Sequence, residues 1–254
     1  MGRELGSEPA RLLFIFNGIF MMRSDMELQR PPMGNSLQRL IRSRGFVWVN
    51  GITLGLLGSL ALYARLFSKG PGFSRLFADP YTNSHFIYLG LLTNLSEVMW
   101  CVALAICWFS FGVVRSLRPG RPSDWFLVAT ALVISVLLLD DIQRVTLVLT
   151  YGLGLPKLFS YGCYALMLAA YAWTFRRHIR RHTPYHLLLI TLACFLVSGL
   201  TDLVDARLHL TQAEGPTSML EDGTKLVGLL NLVLFCWKLG QQEIIEAVQG
   251  QSSK

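Results

Sequence analysis

"WFLVATALVISVLLLDDIQRVTLVLT", residues 125–150, is a long apolar run broken only near its end by Asp140, Asp141 and Arg144. A helix rises 1.5 Å per residue, so about 20 apolar residues cross the hydrocarbon of a bilayer. The run has no strict polar–apolar alternation and is about twice as long as a barrel strand, which selects helix over barrel. Working outward, runs of the same character lie at 46–68, 87–114, 157–176, 185–207 and 219–240. The expected fold is all-α: a polytopic membrane protein built as a bundle of six transmembrane helices.

Composition agrees. Of 254 residues, 52% are hydrophobic and 15% charged, and the mean hydropathy is +0.44. Soluble domains carry about 25% charged residues. The net charge of +7 could point to nucleic acid, but the basic residues fall in short clusters between apolar runs. That is the pattern of orientation signals in a membrane chain. The lipid bilayer is the expected partner, and nucleic acid is not.

Those clusters alternate between the two sides. Arg39, Arg42 and Arg44 precede the first run; Arg115, Arg118 and Arg121 join the second and third. Arg176, Arg177, Arg180 and Arg181 join the fourth and fifth, and Lys238 ends the sixth. The opposite side carries only Lys69, Arg75 and Lys157 as connecting basic residues, together with most of the acids. Positive charge stays inside, so both termini are expected in the cytoplasm of a bacterial-type inner (plasma) membrane. Trp48, Trp125, Trp173 and Trp237 fall at the same boundary, as an aromatic belt should.

Three regions follow. Residues 46–241 form the membrane domain, and 242–254 read as a polar tail. Residues 1–45 are poorly defined: "ARLLFIFNGIFMM" (10–22) is short for a span and is followed by a charged stretch. It reads as an interfacial helix or as an untranslated extension with Met26 or Met33 as the start. No convincing cleavage site marks a signal peptide. The five cysteines show no CxxC spacing, so neither a zinc site nor a redox motif is expected. The connections are too short for a soluble catalytic domain, and any chemistry falls to groups on the helices.

Carboxylates gather on the outer side. Asp140 and Asp141 lie roughly 22 Å along the third run. The fifth ends with Asp202, Asp205 and Arg207; the sixth begins with Glu221, Asp222 and Lys225; the second carries Glu97. An ionisable group in a span costs roughly 2.5–3.5 kcal/mol on insertion, so a functional reading is the default. The bland reading is local pairing. Asp140–Arg144 and Glu221–Lys225 have i,i+4 spacing, and Ser218 with Glu221 fits a capping box. Yet Asp140, Asp141, Asp202, Asp205, Glu221 and Asp222 face only Arg144, Arg207 and Lys225. The excess calls for protonation, water, a divalent cation or a cationic headgroup. Asp140 and Asp141 point about 100° apart on a helix, so Asp141 needs a partner from another span, Lys225 or a shared cation.

His178, His182 and His186 recur every four residues, which invites a metal reading. Pro184 and the four arginines argue against it, and a lipid-headgroup contact or plain orientation signal is favoured. Gly51, Gly55 and Ser59 form a small-residue ridge for a neighbouring helix. Tyr161, Tyr164 and Tyr171 read as packing.

"LLLDDIQRV" and the later "LEDGTKLVGLLNLVLF" resemble a group of uncharacterised bacterial multi-span membrane proteins. In that group an acidic pair ends one span, a His-Glu pair often follows, and an acidic-acidic-Gly-x-Lys segment opens the last span. This chain matches at Asp140, Asp141, Glu221, Asp222, Gly223, Lys225 and Gly228, and departs with Thr146 and Leu147 where His-Glu would stand. A remoter similarity, to the alkaline-ceramidase-like membrane hydrolases, rests on the general picture alone, since no intramembrane histidine cluster is present. Three readings remain. One is an outward acidic site that binds a cation or lipid headgroup. Another is a metal-dependent lipid hydrolase using Asp140, Asp141, Asp202 and Glu221. The third is a small cation- or proton-coupled transporter using Glu97 and the aspartates.

Overall fold

The computed structural model describes residues 44–67, 91–117, 122–208 and 216–249. All regular structure among them is helical: α1 (Arg44–Phe67), α2 (Leu91–Leu117), α3 (Pro122–Gln143), α4 (Val145–Leu153), α5 (Lys157–Thr174), α6 (Arg176–His182), α7 (Tyr185–Leu208) and α8 (Pro216–Gln249). The apolar stretch 10–22 and the basic residues Lys69 and Arg75, expected on the outer side, lie outside the described residues.

Among the described residues, four helices are long and apolar enough to cross a membrane: Leu92–Leu117 of α2, Asp124–Gln143 of α3, Tyr185–Val204 of α7 and Leu220–Gln249 of α8. The apolar part of α1, Val47–Ser59, is shorter, and α5 spans 18 residues. The exposed surface is rich in large apolar side chains, including Leu132, Leu139, Leu166, Leu196 and Leu200. Such a surface suits lipid rather than water. Trp48, Trp125, Trp173 and Trp237 are all exposed.

α8 is the organising helix. Leu229, Leu232, Cys236, Leu239, Glu243 and Ala247 recur at helical spacing and are all buried. They pack chiefly against α7 and α2, and α2 packs on α3. α2 answers with Ala103, Cys107, Ser110 and Val114, another i, i+4, i+7, i+11 stripe. Two glycines let the backbones approach. A Cβ on Gly240 would collide with the Ser110 hydroxyl, and one on Gly228 would meet the Phe195 ring at 2.9 Å. Small residues at such crossings are the usual means of close helix contact in a bilayer. The helix runs on through Gln249, so 242–249 is part of this packing rather than a polar tail. Burial of Glu243 and Ala247 against the bundle is the physical reason.

α1 docks on α8 through amides. Asn50 and Asn231 exchange hydrogen bonds of 3.3 and 2.9 Å, and Asn231 Nδ2 also donates to the Val227 carbonyl at 2.8 Å. Asn231 is fully buried, so its polar atoms need these partners. Gly51, Gly55 and Ser59 are exposed instead, with no described atom within 4 Å of a Cβ built on either glycine. The expected ridge does not pack on the described bundle, because the Asn50–Asn231 pair turns the opposite face of α1 toward α8.

The opening stretch is not one helix. It breaks at Arg144, which adopts the left-handed conformation (φ 50°, ψ 44°). A non-glycine residue there costs of order 1–3 kcal/mol and must be held by its surroundings. α4 ends on Gly154 (φ 68°), where glycine removes that cost, and Pro156 leads into α5.

Candidate functional site

The break at Arg144 explains Asp140. The first amides of a helix have no partner within it. Arg144, the N-cap of α4, gives no side-chain cap. Asp140 supplies one from the preceding helix: its Oδ1 accepts the Thr146 amide at 2.7 Å and the Thr146 hydroxyl at 2.9 Å. The i,i+4 spacing of Asp140 and Arg144 does not lie on one continuous helix, because the helix breaks at residue 144. The Tyr164 hydroxyl lies beside the same two side chains.

Asp141 points elsewhere, toward α8. Lys225 Nζ donates to Asp141 Oδ1 and forms an ion pair across the α3–α8 contact. Of the two cross-helix partners expected from the sequence, Lys225 or a shared cation, the geometry has Lys225 on Asp141. Asp141 Oδ2 is buried and accepts no hydrogen bond among the described residues. The i,i+4 pairing of Glu221 with Lys225 gives way to this contact. The capping role for Ser218 and Glu221 also falls. α8 begins at Pro216, so Ser218 is already inside the helix and no acid stands in its first turn. Proline suits that first position because its missing amide hydrogen is not needed there.

A second pair joins α5 to α7. Lys157 Nζ donates to Asp202 Oδ1 at 2.8 Å, and the Tyr161 hydroxyl donates to Asp202 Oδ2 at 2.6 Å. Lys157, Tyr161 and Tyr164 are one to two turns apart and share a face of α5. Tyr161 is therefore a polar partner, not packing. The signal was present in the sequence: a lysine one turn before a tyrosine on an otherwise apolar helix.

Glu221 and Asp222 link the two pairs. Glu221 lies within electrostatic reach of Asp202, Asp222, Lys225 and Lys157. Asp222 lies within reach of Lys225, Asp141 and Asp202. The structure thus gathers Asp140, Asp141, Asp202, Glu221, Asp222 and Lys225 and adds Lys157, Tyr161 and Thr146. Glu97 is half-buried on α2. Asp205 is in the last turns of α7, and its side chain, like that of Arg207, lies outside the described residues.

No group of three or more His, Cys, Asp or Glu among the described residues could hold a metal ion.

With this geometry in place the family can be stated. A family model described as a domain of unknown function, DUF8692, matches residues 47–239. The chain belongs to the DUF8692 family. The whole acidic centre falls inside the DUF8692 match. No curated protein and no solved structure matches the chain.

One buried acid lies beyond the DUF8692 match and was missed from the sequence. Glu243 is 2% exposed and its Oε1 sits 3.0 Å from His178 Nε2. His178 also packs on Phe126, with ring centroids 4.4 Å apart. The histidine triplet is therefore not one surface feature. His178 turns into the bundle, while His186 packs on Tyr185; the His182 side chain lies outside the described residues.

Proposed function

We propose that this DUF8692 protein is a six-span membrane protein with both termini inside, in a bacterial-type inner membrane, whose outer acidic centre binds a small ammonium-type cation. The observation that carries the reading is the charge imbalance. Asp140, Asp141, Asp202, Glu221 and Asp222 come together with Lys157 and Lys225, so carboxylates exceed cations by two even if Arg144 is counted. Buried carboxylate that lacks a counter-charge is costly and favours a bound cation. The lysines indicate its class. Each already seats an ammonium on a carboxylate, and Glu221 and Asp222 offer the same chemistry without a lysine to each. A protonated amine, free or in a lipid headgroup, fits this better than a divalent metal.

Thermal unfolding of the purified protein with ethanolamine hydrochloride, compared with calcium chloride, tests the reading. Ethanolammonium is expected to raise Tm in the natural protein and to lose that effect in Glu221→Gln and Asp222→Asn. A shift given by calcium alone, or an amine effect that survives both replacements, rejects it. The helix break at Arg144 beside two carboxylates favours a transporter as the second reading, since discontinuous helices line many transport sites. Cation flux in proteoliposomes separates passage from mere binding.

A further inference from the structure

A concavity of ≈ 540 Å³ lies on the far side of α5 and α6, lined by Ala169, Ala172, Trp173, Arg176, Arg177 and Arg180. Ala169, Trp173, Arg176 and Arg180 follow one another at four-, three- and four-residue spacing, and Ala172 lies three residues after Ala169 and four before Arg176, so they share one stripe. The bend at Phe175 does not interrupt it. Phe175 N–H donates to the Tyr171 carbonyl at 3.0 Å, and Ile179 N–H donates to the Phe175 carbonyl at 2.9 Å. The opposite face of the bend is anchored, with Tyr171, Phe175 and His178 packed round Phe126 at 4.4–5.9 Å between ring centroids. That anchoring fixes the arginines outward.

The stripe changes character along its length. Two alanines leave an apolar notch at its lower end. Trp173 stands where an interfacial indole belongs, and the Arg176 guanidinium lies 4.7 Å above its ring. Arg177 and Arg180 follow, and no acid lines the concavity. We infer that this notch seats an anionic phospholipid, with its phosphate on Arg176, Arg177 and Arg180 and an acyl chain along Ala169 and Ala172. Guanidinium groups bind phosphate by paired hydrogen bonds, and basic pockets at a membrane surface take anionic headgroups. Inorganic phosphate would use the arginines but not the alanine floor. The site is separate from the acidic centre and does not depend on it.

Native mass spectrometry of the detergent-purified protein, titrated with phosphatidylglycerol or phosphatidylcholine, tests the inference. Phosphatidylglycerol is expected to bind in preference. Replacing all three arginines by glutamine should weaken it by roughly a hundredfold, from the usual contribution of each basic residue at a bilayer surface. Ala172→Leu fills the notch, leaves the charge unchanged and should weaken binding about tenfold. Arg115→Gln, an exposed arginine at the end of α2, should leave it unchanged. Equal loss with Arg115→Gln, undiminished binding in Ala172→Leu, or displacement of the lipid by inorganic phosphate would each overturn it. Ala172→Leu keeps the test decisive if the triple variant fails to insert.

Discussion

Asp140 and Asp141 are neighbours with different work. Asp140 spends one oxygen on the amide and hydroxyl of Thr146 and so restarts the helix after Arg144. Asp141 ties α3 to α8 through Lys225, whose side chain is 25% exposed against 16% for the aspartate. Removing one partner of such a shielded pair leaves a charge stranded, which costs about 3 kcal/mol. Asp141→Asn and Lys225→Met should each lower unfolding stability by about that amount. The double variant should show a coupling of about 2 kcal/mol. An exposed pair would give ~0–1 kcal/mol, and a coupling in that range would mean that water, not the bundle, sets the energy of this contact.

Among the elements, α8 carries the assembly. It reaches α7 at Gly228, α2 at Gly240 and α1 at Asn231. Ser110, against Gly240, is itself buried, so an added methyl there forces its hydroxyl to another rotamer and presses on its Cβ at 3.2 Å. Gly240→Ala should cost about 2 kcal/mol, in the range for overpacking, and lower the thermal midpoint. Gly55→Ala, on the exposed ridge of α1, serves as the comparison and should be close to neutral. A Gly240→Ala protein as stable as the natural one would mean that α2 and α8 lie farther apart than the structure has them.

At the scale of the molecule, the proposed topology makes the acidic centre outer and the arginine notch inner. Reporter fusions after Arg181 and at the C-terminus should report a cytoplasmic location, and one near Gln212 an external one. An external C-terminus would reverse both sites at once. The sequence alone determined the helical class, and its charge clusters are the ground of the proposed topology. Apolar run length and charge clustering are one-dimensional quantities, set by bilayer thickness and the cost of moving charge across it. The convergence of Asp141, Asp202, Glu221, Asp222 and Lys225 was also legible, because each lies near the same end of its run. Tertiary structure alone decided who pairs with whom. The left-handed turn at Arg144 redirected Asp140 to Thr146, and the bundle brought Lys157 and Tyr161 to Asp202. Glu243 met His178 across 65 positions of chain. Such pairings depend on helix rotation and crossing, which periodicity within one helix leaves undetermined. They are fixed only when all faces pack together.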